Sequence, residues 1–145
     1  MKLPSGKVVT KGTPIYPGSN FTWGEATKNG TRQPENLVID RKLIISAIGV
    51  EDNIIRSARF LDHYRELMGN RPIIVTSWYR PRLVNARVGG SKYSRHQFGD
   101  AVDWISHYFS PRDIARVIEP QHSKGGYKAY SGFTHTDWRG HRARW

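Results

Sequence analysis

Only one stretch of this 145-residue chain is patterned for a long helix, and the sequence on both sides of it cannot continue one. The helical pattern runs from Ile44 to Met68. Within it Ile54, Ala58, Leu61, Arg65 and Met68 recur every three or four residues, with only Arg65 interrupting an apolar stripe. Glu51 and Asp52 suit a first turn, where negative charge favours the helix dipole, and Gly69-Asn70 is a C-terminal stop. Gly49 is expected to separate a short helix from this longer one. Residues 1–36 form a loop-rich N-terminal segment punctuated by glycine and proline, with Val8-Val9-Thr10 and Ile15-Tyr16 as short extended pieces.

After the helix the period changes. Pro72–Tyr79 is rich in β-branched and aromatic residues and is predicted to be a strand. A short helix follows around Leu83–Arg87, closed by Gly89-Gly90, and Ala101–Ile105 is the next strand. Pro111–Ile118 is predicted to be a helix with Ser110 as its cap and Pro111 in its first turn. Tyr127–Tyr130 and Phe133–Trp138 form a closing hairpin across Ser131-Gly132. Strands interleave with helices without a repeating βαβ rhythm, so the fold class is α+β. The length fits one domain, residues 1–145.

The chain contains no cysteine, which excludes disulfides and thiolate metal sites and leaves six histidines and twelve carboxylates as ligands for a metal. With 23 Lys and Arg against 12 Asp and Glu, the net charge is +11. Such a charge attracts an anionic polymer or is simply a solvated surface, and it carries no information about a reaction. No helix-turn-helix, finger or RNA-binding signature accompanies it, so specific nucleic-acid binding is not expected. No apolar run approaches the roughly 18 residues of a membrane helix. The opening Met1-Lys2-Leu3-Pro4-Ser5-Gly6 is not patterned as a signal peptide.

The chemistry concentrates in Ser94-Arg95-His96-Gln97-Phe98-Gly99-Asp100-Ala101-Val102-Asp103. His96 in a loop and Asp103 on the following strand are able to converge on one point, although spacing alone equally fits a surface pair or a hydrogen-bonded turn. A catalytic zinc takes three protein ligands. His135 on the last strand is the best-placed third, because Thr134 and Thr136 turn to the opposite face.

Ser94-x-His96-x-x-Gly99-x-Ala101-x-Asp103 resembles the signature of the zinc D-alanyl-D-alanine carboxypeptidase-like peptidases at every specified position. Thr76-Ser77-Trp78-Tyr79-Arg80-Pro81 resembles the family's Ser-Gly-Tyr-Arg-Ser segment. Val84-Asn85-x-x-Val88-Gly89-Gly90-Ser91 is similar to its lead-in to the signature. His135-Thr136-Asp137-Trp138-Arg139-Gly140 is similar to the His-x-Asp-x-Arg-Gly close of one branch, and Phe21-Thr22-Trp23-x-Glu25 to that branch's opening. The resemblance implies an α+β domain of the hedgehog/D-Ala-D-Ala carboxypeptidase-like kind, with helices flanking a small antiparallel sheet that carries a zinc site. It further implies His96, Asp103 and His135 as zinc ligands and zinc-bound water as the nucleophile. Arg80 and Ser94 would bind substrate, Arg80 would also be catalytic by stabilising the oxyanion together with the metal, and an amide of peptidoglycan stem peptides would be the bond cut. An anionic wall polymer is a further expected partner, and an endolysin-like phage lysis enzyme would suit a chain without a visible export signal.

The better-known branches place a Glu or Asp three residues before the last histidine as general base. Here that position is Gly132. Asp137, two residues after His135 and on the same strand face, is the candidate base, with orientation of a ligand or pairing with Arg139 or Arg80 as its other possible roles. His63, His107, His122 and His141 are not singled out by spacing. Of the aromatic residues, Trp138 and Tyr79 are the expected neighbours of the cleft. The emptiness of position 132 keeps open a catalytically inactive, zinc-containing wall- or protein-binding module.

Overall fold

The computed structural model describes all 145 residues, Met1–Trp145. Its architecture is α+β. The long helix, α2 (Ala47–Leu67), follows α1 (Trp23–Ala26) and a small hairpin of β1 (Leu37–Ile39) and β2 (Lys42–Ile45). The helix starts later than its sequence pattern, because Ile44 and Ile45 belong to β2. The hairpin turns on Asp40 and Arg41, both at positive φ (52° and 66°). That geometry is usually signalled by Asn-Gly or Asp-Gly, and without the glycine the hairpin could not be seen in the sequence. Gly49 does not divide the helix. It lies in the first turn with its N–H donating to the Ser46 side chain (3.1 Å), so it helps to start the helix.

Val50, Ile54, Ala58 and Leu61 are fully buried, and Tyr64 and Met68 continue the stripe. Arg65 does not interrupt it, because Tyr64 takes the inward position. Each fully buried aliphatic side chain contributes about 1.5–3 kcal/mol, so the stripe, more than intrinsic propensity, holds the helix. One hydrophobic cluster unites this face with Leu3, Val9, Ile15, Phe21 and Trp23 of the N-terminal segment and with Val102 and Trp104 of the sheet.

The sheet has the strand order β3-β4-β6-β5-β7. Its members are β3 (Ile74–Ser77), β4 (Ala101–Ile105), β5 (Gly126–Ala129), β6 (Thr134–Asp137) and β7 (Ala143–Arg144). The first four pair antiparallel, while β7 runs parallel to β5. The expected purely antiparallel sheet is therefore extended by a tail strand. Two helices, α3 (Arg82–Arg87) and α4 (Pro111–Ile118), lie between the strands. The Ser110 side chain caps α4 by accepting from the Asp113 N–H (3.2 Å), and proline sits at its start, as the sequence indicates. No helix is long and apolar enough to cross a membrane.

The N-terminal segment is fastened by two carboxylates on α2. Glu51 is buried and accepts from the Ser5 N–H (2.9 Å) and hydroxyl (2.6 Å), so it serves as an anchor. Asp62 accepts from Ser19 Oγ (2.7 Å), from the Asn20 N–H (3.0 Å) and Nδ2 (2.9 Å), and from the Tyr16 hydroxyl. Burial alone would raise the Asp62 pKa, but the donors from Tyr16, Ser19 and Asn20 hold it below the ordinary aspartate value. Its stabilisation is thus fully present above the unfolded pKa of about 3.9 and is lost as the pH falls through the lower folded value. Asp62→Asn is expected to lower stability near neutral pH by about 2–3 kcal/mol, the scale of hydrogen bonds to a charged group. Thermal unfolding followed from neutral pH into acid should show the gap to wild type closing below the unfolded pKa. A gap independent of pH would show that the charge of Asp62 is not what fastens the segment.

Candidate metal centre

The register of the sheet sets the centre. Asp103 on β4 pairs directly with His135 on β6 and with Ser77 on β3. Directly opposed residues project from the same face, so the Asp103 carboxylate and the His135 imidazole meet. Trp104 and Thr136 turn to the other face, where the indole Nε1–H donates to Thr136 Oγ1 (3.1 Å) inside the core. His96 arrives from a 3-10 turn, Arg95–Phe98, rather than from irregular loop. The Ser94 hydroxyl caps that turn by accepting from the His96 N–H (3.3 Å), and Gly99 ends it at φ +80°, where a side chain would be strained. These are the local reasons for Ser, His and Gly at their spacing in the signature. Asp100, at an unspecified position, is fully buried and paired with Arg95.

His96, Asp103 and His135 each offer one ligand atom, and the three atoms lie within 4.8 Å of one another. The His96 Nδ1–H donates to the Trp78 carbonyl (2.7 Å), which turns Nε2 to Asp103 Oδ2 at 3.2 Å. His135 Nδ1 faces Asp103 Oδ1 at 2.8 Å, and His135 Nε2 faces Asp137 Oδ2 at 2.9 Å. Burial would lower the pKa of His135, but the flanking carboxylates of Asp103 and Asp137 raise it. For Asp103 burial acts upward, and the bonds from His135 and His96 bring it well below the usual carboxylate range.

Two imidazole nitrogens and one carboxylate, with each ring held from behind by an acceptor, form a donor set that fits a zinc ion. Binding a cation requires His135 to give up the proton on Nδ1, while Asp137 is placed to keep the one on Nε2.

Asp137 is fully buried, and its two oxygens are engaged by five donors. Oδ1 accepts from the Gly126 N–H (2.9 Å) and from Arg139 Nε (2.8 Å) and, more distantly, its N–H (3.4 Å). Oδ2 accepts from His135 Nε2 and Arg139 Nη2 (2.7 Å). Burial raises its pKa, but the Arg139 and His135 bonds prevail and hold it far below the ordinary range. A carboxylate so committed is a poor proton acceptor near neutral pH, which speaks against the base role expected for it. The contacts are those of a group that orients His135. Gly126 is needed beside it, since a Cβ there would sit 2.2 Å from Asp137 Oδ2.

Arg80 lines the same cleft, about 520 Å³ in volume, together with Ser94. Its Nε is buried without a hydrogen-bond partner. Burial pushes its pKa down, and the Asp103 carboxylate opposes that shift. Arg95 and Arg139 also line the cleft, but both are paired with carboxylates. Asp103 is the one carboxylate in the lining.

Among the other candidates, Trp138 and Tyr79 are buried and do not line the cleft. Its aromatic residues are Tyr93, Tyr130, Phe133 and Trp145. His122, which spacing did not single out, lies behind Asp137. The Tyr64 hydroxyl donates to its Nδ1 (2.7 Å), and its Nε2–H donates to the Asp137 carbonyl (2.7 Å). Burial pushes its pKa down, consistent with a neutral ring that positions the end of β6. His63, His107 and His141 are exposed.

The profile of a family described as Peptidase M15 matches residues 21–137, most of the chain, and the matched span contains His96, Asp103 and His135. No curated protein matches the chain.

Proposed function

The chain belongs to the peptidase M15 family, a family of zinc-dependent metallopeptidases, and from that membership we propose that it hydrolyses an amide bond in peptidoglycan stem peptides. The observation that carries this reading is the convergence of His96, Asp103 and His135 in a cleft whose free cation is Arg80. His96, Asp103 and His135 are the residues that would hold zinc on a small sheet of the hedgehog/D-Ala-D-Ala carboxypeptidase-like kind. Zinc bound there supplies Lewis acidity, which polarises a carbonyl and lowers the pKa of water.

The protein's own groups do the rest. Arg80 presents a planar guanidinium with no internal partner, suited to a substrate carboxylate or to the oxygen of the scissile carbonyl. Ser94 holds the turn that carries His96 and faces the cleft. Asp137, locked by Arg139, fixes the ring of His135. The net charge of +11 favours approach to an anionic wall polymer.

A second reading, a wall- or protein-binding module that keeps the metal without hydrolysis, is favoured by one feature. Apart from Asp103, the cleft lining offers no carboxylate to accept a proton. Metal analysis of the purified protein, combined with digestion of defined wall fragments with and without a chelator, separates the two. Hydrolysis that chelation abolishes and zinc restores is the expected result. Fragment binding without cleavage would establish the module instead.

A further inference from the structure

The tail beyond the family match is built into the metal cleft. Only residues 21–137 match the family, yet the chain continues through β7 and returns to the site. In that tail Arg144 is bound internally. Its Nε donates to Glu119 Oε1 (2.8 Å), Nη1 to the Gly125 carbonyl (2.9 Å) and Nη2 to the His122 carbonyl (2.7 Å). With the parallel pairing of Ala143 to Gly126 and Arg144 to Tyr127, this clamp fixes the direction in which the next residue leaves.

That residue is Trp145. Its ring lies 5.3 Å from the His135 ring at 67°, an edge-on contact. Its Nε1–H reaches the Tyr130 hydroxyl at 3.3 Å, and the Arg139 guanidinium sits 5.5 Å from its ring centre. It is nevertheless 53% exposed, whereas the other four tryptophans, Trp23, Trp78, Trp104 and Trp138, are at most 4% exposed. A large apolar ring held in place beside a candidate metal ligand, with half its surface left to solvent, is arranged to be covered by something that enters the cleft.

We propose that Trp145 is a specificity-determining wall of the cleft, packing against the substrate peptide next to the bond to be cut. This rests on the wall-peptide reading above. Tyr130 and Arg139 orient the ring, and Arg144 fixes the backbone that carries it.

The exposure pattern supplies a readout independent of turnover. Iodide quenches solvent-exposed indoles, so in this protein the quenchable fluorescence belongs to Trp145. Zinc-loaded protein mixed with soluble muropeptides in a stopped-flow instrument should show that fraction shielded before turnover, and Trp145→Phe should lack the signal. In steady-state kinetics Trp145→Ala should raise KM about 5- to 30-fold, the scale of truncating a well-placed aromatic contact, with kcat within about twofold. Trp145→Phe should recover most of that loss, and all variants should retain zinc. Muropeptides that are cleaved without shielding Trp145, or an unchanged KM in Trp145→Ala, would overturn the wall while leaving the wall-peptide reading intact. A wild-type protein that neither cleaves nor is shielded by muropeptides would remove both.

Discussion

Asp137→Asn is expected to destabilise the fold by about 3–5 kcal/mol and to weaken zinc retention about 10- to 100-fold, with activity falling in step. The substitution preserves shape, so the effect comes from hydrogen-bond polarity. Both Asp137 oxygens receive only donors, namely the Gly126 N–H, the Arg139 guanidinium and N–H, and His135 Nε2. An amide must direct its NH2 at one of these sets. Turned one way it meets Gly126 and Arg139 Nε, and turned the other way it meets His135 and Arg139 Nη2. Arg139 cannot change its protonation to adapt, and the carboxylate is fully buried. Loss of the charge also frees the His135 ring, whose Nδ1 faces Asp103 Oδ1 and would turn away from the other two candidate ligands. Denaturant unfolding and zinc competition titration measure the two effects separately. If stability and zinc affinity stayed at wild-type levels while the rate dropped about 10²–10⁴-fold, Asp137 would be the proton acceptor after all.

The parts of this molecule that depend on local sequence were legible in advance. β4 and α4 lie where the sequence reading puts them, because the strand-forming run Ala101–Ile105 and the cap Ser110-Pro111 act within a few residues of themselves. The apolar stripe of α2 was also visible, although Tyr64 and not Arg65 completes it, a choice made by packing against His122 and Trp138. The hairpin of β1 and β2 was hidden because its turn uses Asp40-Arg41 in conformations for which sequence signals rely on glycine. His96, Asp103 and His135 were nameable because the first two sit in one continuous signature and the third follows a strand face. The second layer was not. His122 and Tyr64 stand 58 residues apart, one on the connection that follows α4 and the other on α2. The placement of Trp145 depends on Arg144 reaching carbonyls about twenty residues away. Long-range contacts of that kind leave no periodicity or spacing to read.

Gly132→Glu is expected to accelerate hydrolysis about 10²–10⁴-fold, the usual worth of a positioned base, if proton acceptance limits the present chain. The better-known branches carry a carboxylate three residues before the last histidine, and here a glycine stands in that place. The site tolerates the addition. Gly132 is exposed in the turn between β5 and β6, a Cβ built there meets nothing within 4 Å, and its φ lies outside the left-handed region. Its neighbour Phe133 and nearby Tyr130 both line the cleft, so a side chain three bonds longer starts at the rim of the centre. No backbone hydrogen bond or buried pair has to be broken to admit it, so stability should change by no more than about 0.5 kcal/mol. Gly132→Gln has the same length without basicity and separates proton transfer from packing. Zinc-loaded Glu and Gln variants compared on the same muropeptides should differ by the full factor. The Glu variant alone should lose rate as its carboxylate protonates on the acid side. Equal rates in the two variants would mean that a side chain at 132 does not reach the reacting water, and the search for a base would move to the cleft hydroxyls of Tyr93 and Tyr130.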